Sequence, residues 1–244
     1  MFCFLLVTLK ILAVIPARGG SRRVPKKNIR LLAGKPLLAY TVEVALKTRC
    51  IDRMIVSTDD AEIARIAEEY GAEVPFLRPA ELARDDTPDQ PVLRHALECL
   101  KQKEGYEPDL VLNLRPTTPF KTPEIIEAVV RRCLETHADI VRTMSRVQSV
   151  HHPYWMYRVS EEGWASPFVE GIRVSDYYRS QLLPPVYRIN GVVDAVKAGL
   201  VTNGSLLDNQ KMAVVIVPEE VSVDTDTELD FALCEALISR RNLG

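Results

Sequence analysis

The cysteines of this chain do not form the patterns that bind structural metals or build a disulfide framework. The chain has five of them among 244 residues, an odd number, and no two form a C-x-x-C pair. They lie far apart in sequence, at Cys3, Cys50, Cys99, Cys133 and Cys234. This distribution excludes the usual zinc spacings and fits reduced thiols, so we expect a cytoplasmic protein.

Signatures of several enzyme classes are also missing. No serine or cysteine lies in a nucleophile elbow, so a covalent enzyme intermediate is not expected. The four histidines do not have metal-ligand spacing. The turn after the first internal apolar run contains Gly19 and Gly20 but no G-x-G-x-x-G, the fingerprint that a nicotinamide dehydrogenase needs.

The chain also has little net charge and no apolar run of membrane-spanning length. Its 31 basic and 33 acidic residues give a net charge of −2, which argues against a nucleic-acid partner. Residues 1–9 are apolar except for Thr8, but they lack a basic start and a cleavage site, and Lys10 ends the run. We therefore interpret residues 1–9 as an N-terminal tail and expect no membrane partner. A gene start placed too early, with the true one near Val7, is the alternative.

A basic segment with two glycines carries the strongest chemical signal. It follows the apolar residues 11–15, which are typical of a buried strand, and open α/β sheets bind ligands where their strands end. Six cations and no acidic residue lie between positions 18 and 30: Arg18, Arg22, Arg23, Lys26, Lys27 and Arg30. Glycine lets backbone N–H groups approach phosphate, and the cations supply charge. The segment predicts a polyanion site, with a solvated basic loop as the alternative.

Two carboxylates near the C-terminus are the second chemical signal. Asp224 and Asp226 are two residues apart, so in an extended segment both side chains project to one face and could hold one Mg²⁺ ion. In the alternative interpretation, Thr225 and Glu228 form a capping box for the helix that follows. Both can hold together.

Apolar patterns of strand and helix period alternate along the chain. Strands are predicted over residues 11–15, 54–57, 73–77, 110–114, 187–193 and 212–217, and helices over residues 36–47, 61–70, 91–103, 123–136 and 228–239. This alternation predicts one α/β domain over residues 1–244, with a doubly wound, mostly parallel sheet. Asp59, at the end of one strand, is expected either to orient a ligand or to cap the next helix.

The alternation breaks over residues 147–185, which we call the excursion. It is rich in turn formers and contains seven aromatic residues: Tyr154, Trp155, Tyr157, Trp164, Phe168, Tyr177 and Tyr178. These predict a small β-rich insertion. Its aromatics either pack among themselves or cover a contact with a second subunit.

The basic segment resembles the opening signature of the acylneuraminate cytidylyltransferases (CMP-sialic acid synthetases), I-P-A-R-x-x-S-K-G-hydrophobic-P-x-K-N. Arg22 and Arg23 replace the usual Lys and Gly. Seven further segments follow in the family's order, at residues 34–41, 55–60, 78–83, 115–119, 151–153, 188–191 and 224–230. The resemblance covers roughly residues 10–240, and seven motifs in register make chance agreement an unlikely explanation.

The resemblance implies a Rossmann-like nucleotidyltransferase fold and a homodimer that uses the excursion. It also implies Mg²⁺-dependent transfer of CMP from CTP to the anomeric hydroxyl of a nonulosonic acid. The implied nucleotide-binding residues are Arg18, Gly19, Ser21, Arg22, Lys27, Asn28, Asp59 and Asp85. The implied acceptor residues are Arg115, Arg179, Arg188 and Asn190, and the metal ligands are Asp224 and Asp226. Arg18, Lys27 and Asp226 are expected to be catalytic.

Three departures from the family pattern fall on the acceptor side. Arg115 replaces a common Gln, Asp194 replaces an aromatic residue, and Trp155 replaces a polar or basic one. Legionaminate, pseudaminate or another nonulosonate is therefore expected in place of N-acetylneuraminate. The alternatives are a CMP-Kdo-type enzyme and, from another class, an inactive nucleotide-binding regulatory module.

Overall fold

The structure, a computed structural model, describes residues 9–203 and 211–242. The predicted tail lies outside this range except for Leu9. The strands are β1 (Ile11–Pro16), β2 (Leu31–Leu32), β3 (Lys35–Pro36), β4 (Arg53–Ser57), β5 (Leu110–Asn113), β6 (Ile140–Arg146), β7 (Tyr157–Val159), β8 (Ala165–Pro167), β9 (Tyr187–Lys197) and β10 (Met212–Ile216). The α-helices are α1 (Leu37–Lys47), α2 (Ala61–Glu69), α3 (Asp89–Glu104), α4 (Pro123–Thr136), α5 (Ala198–Asn203) and α6 (Glu228–Asn242).

Six of these strands form one sheet in the order β10-β6-β9-β5-β1-β4. Neighbouring strands are parallel except that β9 runs antiparallel to both β5 and β6. The predicted mostly parallel α/β sheet is therefore confirmed. No helix in the described ranges is both long and apolar enough to cross a membrane.

Both faces of the sheet are buried, which explains the continuous apolar strands. In β1, Ala13 and Ile15 belong to a core on the side of α1, α2 and α4, whereas Leu12 and Val14 face a second core with α3 and α5. This alternation is the period of two that an extended strand imposes. A third, smaller cluster packs α6 against the chain that follows β1, with Phe231 and Cys234 buried in it. The sheet is thus doubly wound.

The carboxyl ends of β1, β4 and β5 meet at one edge of the sheet because these three neighbours are parallel. The segments that follow them cover residues 17–30, 58–60 and 114–118. The predicted ligand residues after each strand are therefore brought to one place, as open α/β sheets require.

Several local predictions differ from the structure. Residues 73–77 do not form a strand and make only isolated bridges, Ile55 with Glu73 and Thr58 with Leu77. The strand β6 was not predicted. Helix α6 begins with a different cap from the one predicted: the Asp230 carboxylate accepts from the Thr227 backbone N–H at 2.7 Å and from its hydroxyl at 2.8 Å. The Thr225–Glu228 capping box is therefore absent, since Glu228 pairs with Arg30.

The excursion contains one short hairpin, β7 with β8, and is otherwise built from turns and 3-10 helices, so it is less β-rich than predicted. Its aromatics divide into two groups. Tyr154 packs edge-on against Tyr177, and the Trp155 indole donates to the Tyr177 carbonyl at 2.7 Å. Trp164 and Tyr178, in contrast, are exposed to solvent at 79% and 69%. Part of the aromatic set thus forms an internal core, and part remains uncovered.

Candidate active site

The basic segment forms one wall of a cleft at the carboxyl edge of the sheet. The cleft is lined by Pro16, Arg18, Ser21, Lys27, Asn28, Arg78, Leu82, Arg84, Asp85, Thr87, Asp89, Val92, Arg115, Pro116 and Thr117. Asn28 is buried, and its amide donates to the Arg18 carbonyl at 2.9 Å, which fixes the curvature of the segment. Of the predicted nucleotide residues, Arg18, Ser21, Lys27, Asn28 and Asp85 line this cleft.

Several cations of the basic segment form ion pairs with carboxylates from other parts of the chain. Arg18 and Arg22 both pair with Asp85, which precedes α3. The hydrogen bond from Arg18, with the charge of Arg22 adding to it, lowers the pKa of Asp85. Lys27 donates to the Asp226 carboxylate at 2.7 Å, and Arg23 lies 3.6 Å from the same group. The segment is therefore not a free basic loop, because distant acids converge on it.

Asp59 contacts the basic segment, and its neighbour caps the helix. The Gly19 backbone N–H donates to the Asp59 carboxylate at 3.0 Å. Asp60 accepts from the backbone N–H groups at the start of α2, so the capping role belongs to Asp60. A side chain at Gly19 would come within 2.7 Å of Asp60, which explains the need for glycine at this position.

Arg78 is a buried cation of the cleft wall, with only 5% of its surface exposed. Its Nε and Nη2 atoms have no hydrogen-bond partner among the described residues. Burial lowers the pKa of Arg78, and the nearby charge of Asp59 opposes this. Buried polar groups are normally paired, so these two nitrogen atoms mark a place for a ligand acceptor or an ordered water.

Arg115, at the end of β5, is held by two carboxylates. Its Nη1 donates to Asp194 at 2.9 Å and its Nη2 to Asp89. Burial by itself lowers the pKa of Arg115. The negative charges of Asp194 and Asp89 have the larger combined effect, so the pKa of Arg115 is raised. Asp194 is only 4% exposed at its side chain and lies directly across the sheet from Arg142. Two of the departures from the family pattern, Arg115 and Asp194, are therefore the two partners of one ion pair.

The other three predicted acceptor residues lie in different surroundings. The Asn190 amide is buried and bonded to Thr143 and Ser145 within the sheet, which favours a role in shaping the irregular pairing of β6 with β9. Arg188 pairs with Glu219 at 2.6 Å, near the Asp224 segment. Arg179 is exposed in the excursion over the ring of Tyr178 and is not among the described residues that line the cleft.

Asp224 and Asp226 lie next to two residues of the cleft wall: Asp226 accepts from Lys27, and Asp224 interacts with Thr117. Although Asp224 is exposed, desolvation by the surrounding protein raises the pKa of its carboxyl; a hydrogen bond from Thr117 opposes this and the charge of Asp226 adds to it. No group of three or more His, Cys, Asp or Glu suited to a metal occurs in the described ranges. Two hard carboxylate donors fit a Mg²⁺ ion that takes its other ligands from water and phosphate, as Mg²⁺ usually does.

Comparison with known proteins identifies the family. Residues 12–199 match the cytidylyltransferase family. The chain is 36% identical over 233 residues to the CMP-N,N'-diacetyllegionaminic acid synthase of Legionella pneumophila, covering 94% of this chain and 97% of that protein. It is 32% identical over 235 residues to the N-acylneuraminate cytidylyltransferase of Escherichia coli, covering 96% of this chain and 53% of that protein.

This chain belongs to the cytidylyltransferase family. The predicted membership and the nucleotidyltransferase class are confirmed. A solved CMP:2-keto-3-deoxy-manno-octonic acid synthetase in complex with CTP has the same fold, with a TM-score of 0.71 at 18% identity. The superposition covers 95% of this cytidylyltransferase and 99% of that chain.

Several residues at the cytidylyltransferase cleft were not predicted as site residues, and two buried cations among them stand out: Arg78 in its wall and Lys121 behind it. Arg78 could have been found, because it opens the motif at residues 78–83 directly after the predicted strand. Lys121 lies behind the cleft, buried beneath the turn at residues 115–118. No local pattern marks it, because its importance depends on partners up to 80 residues away.

Proposed function

We propose that this protein transfers CMP from CTP to the anomeric hydroxyl of a nonulosonic acid and releases pyrophosphate. The observation that carries the proposal is that Arg18 and Lys27 line one cleft, that Lys27 donates to Asp226, and that Asp224 interacts with Thr117 of the same cleft wall. The names of the related proteins support the substrate class, since they include a legionaminic acid synthase and an N-acylneuraminate cytidylyltransferase.

The triphosphate of CTP would displace the carboxylates that pair with the cations of the basic segment. Asp85 holds Arg18 and Arg22, and Asp226 holds Lys27, at hydrogen-bond distance. Phosphate oxygens make the same charge-assisted bonds and carry more charge. The backbone N–H groups around Gly19 and Ser21 would approach the phosphates closely. The cations would then offset charge that repels the attacking oxygen.

Arg78 would bind the base. Arg78 lines the cleft beside Arg18 and Lys27, and its Nε and Nη2 atoms have no hydrogen-bond partner among the described residues. Cytosine presents two adjacent acceptors, N3 and O2, whereas uracil carries a hydrogen on N3. The buried Arg78 guanidinium can only donate hydrogen bonds, so it favours cytosine over uracil. Binding uracil would leave one of its donors unpaired and would cost binding free energy.

Asp224 and Asp226 would hold Mg²⁺, which when bound would neutralise phosphate charge and align substrate oxygens. The anomeric hydroxyl attacks the α-phosphorus in line and forms a new P–O bond. The bond from the α-phosphorus to the bridging oxygen breaks, that oxygen leaves with pyrophosphate, and the hydroxyl proton passes to solvent water. No protein nucleophile is needed, because positioning and charge stabilisation supply the rate enhancement.

The acceptor would bind beside Arg115, toward Arg188 and the excursion. Arg115 is already neutralised by Asp89 and Asp194, so this side of the cleft offers a fixed polar surface and not a free cation. Such a surface suits the amide and hydroxyl groups of an acylated sugar. We propose legionaminate as the first acceptor to test.

The deciding experiment measures pyrophosphate release by purified protein with CTP and Mg²⁺ against a panel of 2-keto acid sugars. The panel includes legionaminate, pseudaminate, N-acetylneuraminate and Kdo. Release with a nonulosonate supports the proposal, release with Kdo alone favours the CMP-Kdo alternative, and CTP binding without turnover favours the regulatory module. The four cysteines in the described ranges are free thiols, which supports assays under reducing, cytoplasmic conditions.

Replacing Lys27 with alanine is expected to weaken CTP binding and slow transfer. Its ammonium is mostly buried and lies at the cleft, where a charge-assisted bond to phosphate is worth about 1.5–3 kcal/mol. CTP affinity should therefore fall roughly ten- to a hundredfold in calorimetry. Lys26→Ala is the matched control, since Lys26 points to Glu62 on α2. Equal effects in both variants, or none in Lys27→Ala, would place the triphosphate elsewhere.

We also propose a homodimer that covers the exposed aromatics of the excursion. Trp164, Phe168 and Tyr178 are all exposed on the excursion, and large apolar surface left in solvent often marks an interface. Two identical chains could bury them about a two-fold axis. Because the excursion also carries Arg179, assembly and acceptor binding would be linked.

Replacing Trp164 with alanine should weaken dimerisation roughly tenfold or more, because large aromatic side chains contribute most to interfaces. The dimer fraction, from analytical ultracentrifugation, and the specific activity are measured over the same dilution series. Both quantities should fall together as the protein is diluted. Leu134→Ala on α4 is the control, because Leu134 is also an exposed apolar residue but lies outside the excursion. A wild-type protein that is fully active as a monomer would rule out this assembly.

A further inference from the structure

Lys121 is a lysine with almost no solvent contact, lying just behind the cleft. Only 2% of the residue is exposed. Its ammonium donates to three protein oxygens: the Thr41 hydroxyl at 3.0 Å, the Arg115 carbonyl at 2.8 Å and the Thr118 carbonyl at 2.5 Å. Burial, with the charge of Arg115 adding to it, lowers the pKa of Lys121 to about 7. Placing a lysine here costs stability, which suggests a functional reason for its presence.

The two backbone carbonyls that Lys121 binds are the ends of the turn at residues 115–118. The middle of this turn faces the C-terminal carboxylates. The Thr117 carbonyl accepts from the Thr225 backbone N–H at 2.8 Å and from its hydroxyl at 3.1 Å. The Thr117 side chain also interacts with the Asp224 carboxyl and lowers its pKa, against the larger effect of desolvation.

Thr225 lies between Asp224 and Asp226 in sequence and is completely buried. Its two bonds to Thr117 therefore fix the backbone between the two carboxylates. A continuous set of hydrogen bonds runs from Lys121 through the turn to Thr225. The two side chains at the ends of this link, those of Lys121 and Thr225, are both buried.

We infer that Lys121 is a positioning residue that holds Asp224 and Asp226 in place for the divalent cation, acting through the turn at residues 115–118. This inference rests on the proposed function. Lys121 does not touch the cleft, so it acts through Thr117 and not on the substrate. Residues that orient metal ligands typically change metal affinity about 10- to 100-fold when removed.

The test replaces Lys121 with methionine, which keeps the length and removes the donors. The concentration of Mg²⁺ that half-activates pyrophosphate release should rise roughly tenfold. A second readout needs no turnover: the rise in melting temperature that Mg²⁺ gives to the CTP-bound protein should shift to higher Mg²⁺ by the same factor. The KM for CTP at saturating Mg²⁺ should stay within about twofold, since Lys121 does not line the nucleotide cleft.

Thr41→Val is the matched control. It removes the third partner of the Lys121 ammonium, on α1, and leaves both bonds to the turn. It should lower the melting temperature without changing the half-activating Mg²⁺ concentration. If Thr41→Val and Lys121→Met shift the Mg²⁺ dependence equally, the effect is general loosening and the inference is wrong.

Thr225→Val tests the other end of the link and serves if Lys121→Met does not fold. It removes the hydroxyl bond to Thr117, and the half-activating Mg²⁺ concentration should rise about fivefold. In the double variant the shift should be less than the product of the two single shifts, because both act on one turn. An unchanged Mg²⁺ response in both single variants overturns the inference, whereas a wild type with no Mg²⁺ response overturns the proposed metal site itself.

Discussion

Replacing Asp226 with asparagine should lower kcat at least about a hundredfold while the protein keeps its fold. The substitution keeps the shape of the side chain and removes the negative charge that Mg²⁺ needs, and metal-assisted charge neutralisation is worth several kcal/mol in the transition state. The Asp226 side chain is half exposed, and its partners Lys27 and Arg23 belong to the basic segment and not to the core. The melting temperature is therefore expected to change little.

The control for this prediction is Glu228→Gln, which removes one negative charge two residues away. Glu228 pairs with Arg30 on the outside of the segment and is exposed. Its kcat should stay within about twofold of wild type, as for most surface substitutions. Steady-state pyrophosphate release over a range of Mg²⁺ concentrations distinguishes the two variants. Near-normal turnover by Asp226→Asn at limiting Mg²⁺ would contradict the metal assignment.

The elements that sequence predicted well are those determined by local pattern. The strand at residues 11–15 alternates between two buried faces and so is apolar throughout, and the helix at residues 123–136 begins with proline at its first position. These signals need no knowledge of the rest of the fold. Residues 73–77 have a similar apolar pattern, yet they lie beside β4 with only isolated bridges. The apolar sequence pattern does not show whether a segment will pair with a neighbouring strand along its whole length.

Positions of caps and ligands differ from prediction by one or two residues. Asp60 caps α2, while its neighbour Asp59 accepts from the Gly19 backbone N–H of the basic segment. At α6 the cap is Asp230 with Thr227, which is displaced from the predicted pair. A shift of one or two residues in where a helix begins exchanges these roles, and single-sequence pattern does not determine helix starts that closely.

Pairings across long sequence separations could not be predicted from sequence. The basic segment contains no acid, and a sequence reader sees an unneutralised cluster. In the fold, Asp85 and Asp226 reach it from two widely separated parts of the chain. Likewise, Arg115 was expected to bind substrate directly, whereas Asp194 comes from β9 to neutralise it. Electrostatic partners of this kind depend on tertiary contacts, so composition alone overstated the free charge of the site.

Replacing Arg78 with methionine is expected to change CTP binding and stability in opposite directions. The guanidinium is buried, and two of its nitrogen atoms are unpaired in the described part of the protein. An apolar side chain of similar length removes this buried, poorly paired charge, and such exchanges are often neutral or stabilising. The melting temperature without ligand should therefore stay the same or rise. CTP affinity should fall roughly ten- to a hundredfold, since a charged donor to the base is lost.

The ratio of the affinities for CTP and UTP is the measurement that tests this prediction most directly. Wild type should prefer CTP because Arg78 can donate to both N3 and O2 of cytosine, whereas N3 of uracil is itself a donor. Arg78→Met should bind the two nucleotides with nearly equal, weak affinity in calorimetry. Arg65→Met, an exposed arginine on α2 paired with Glu69, should alter neither stability nor nucleotide choice. If Arg78→Met instead loses stability and still prefers CTP, Arg78 supports the fold, and the base must be selected by other groups of the cleft.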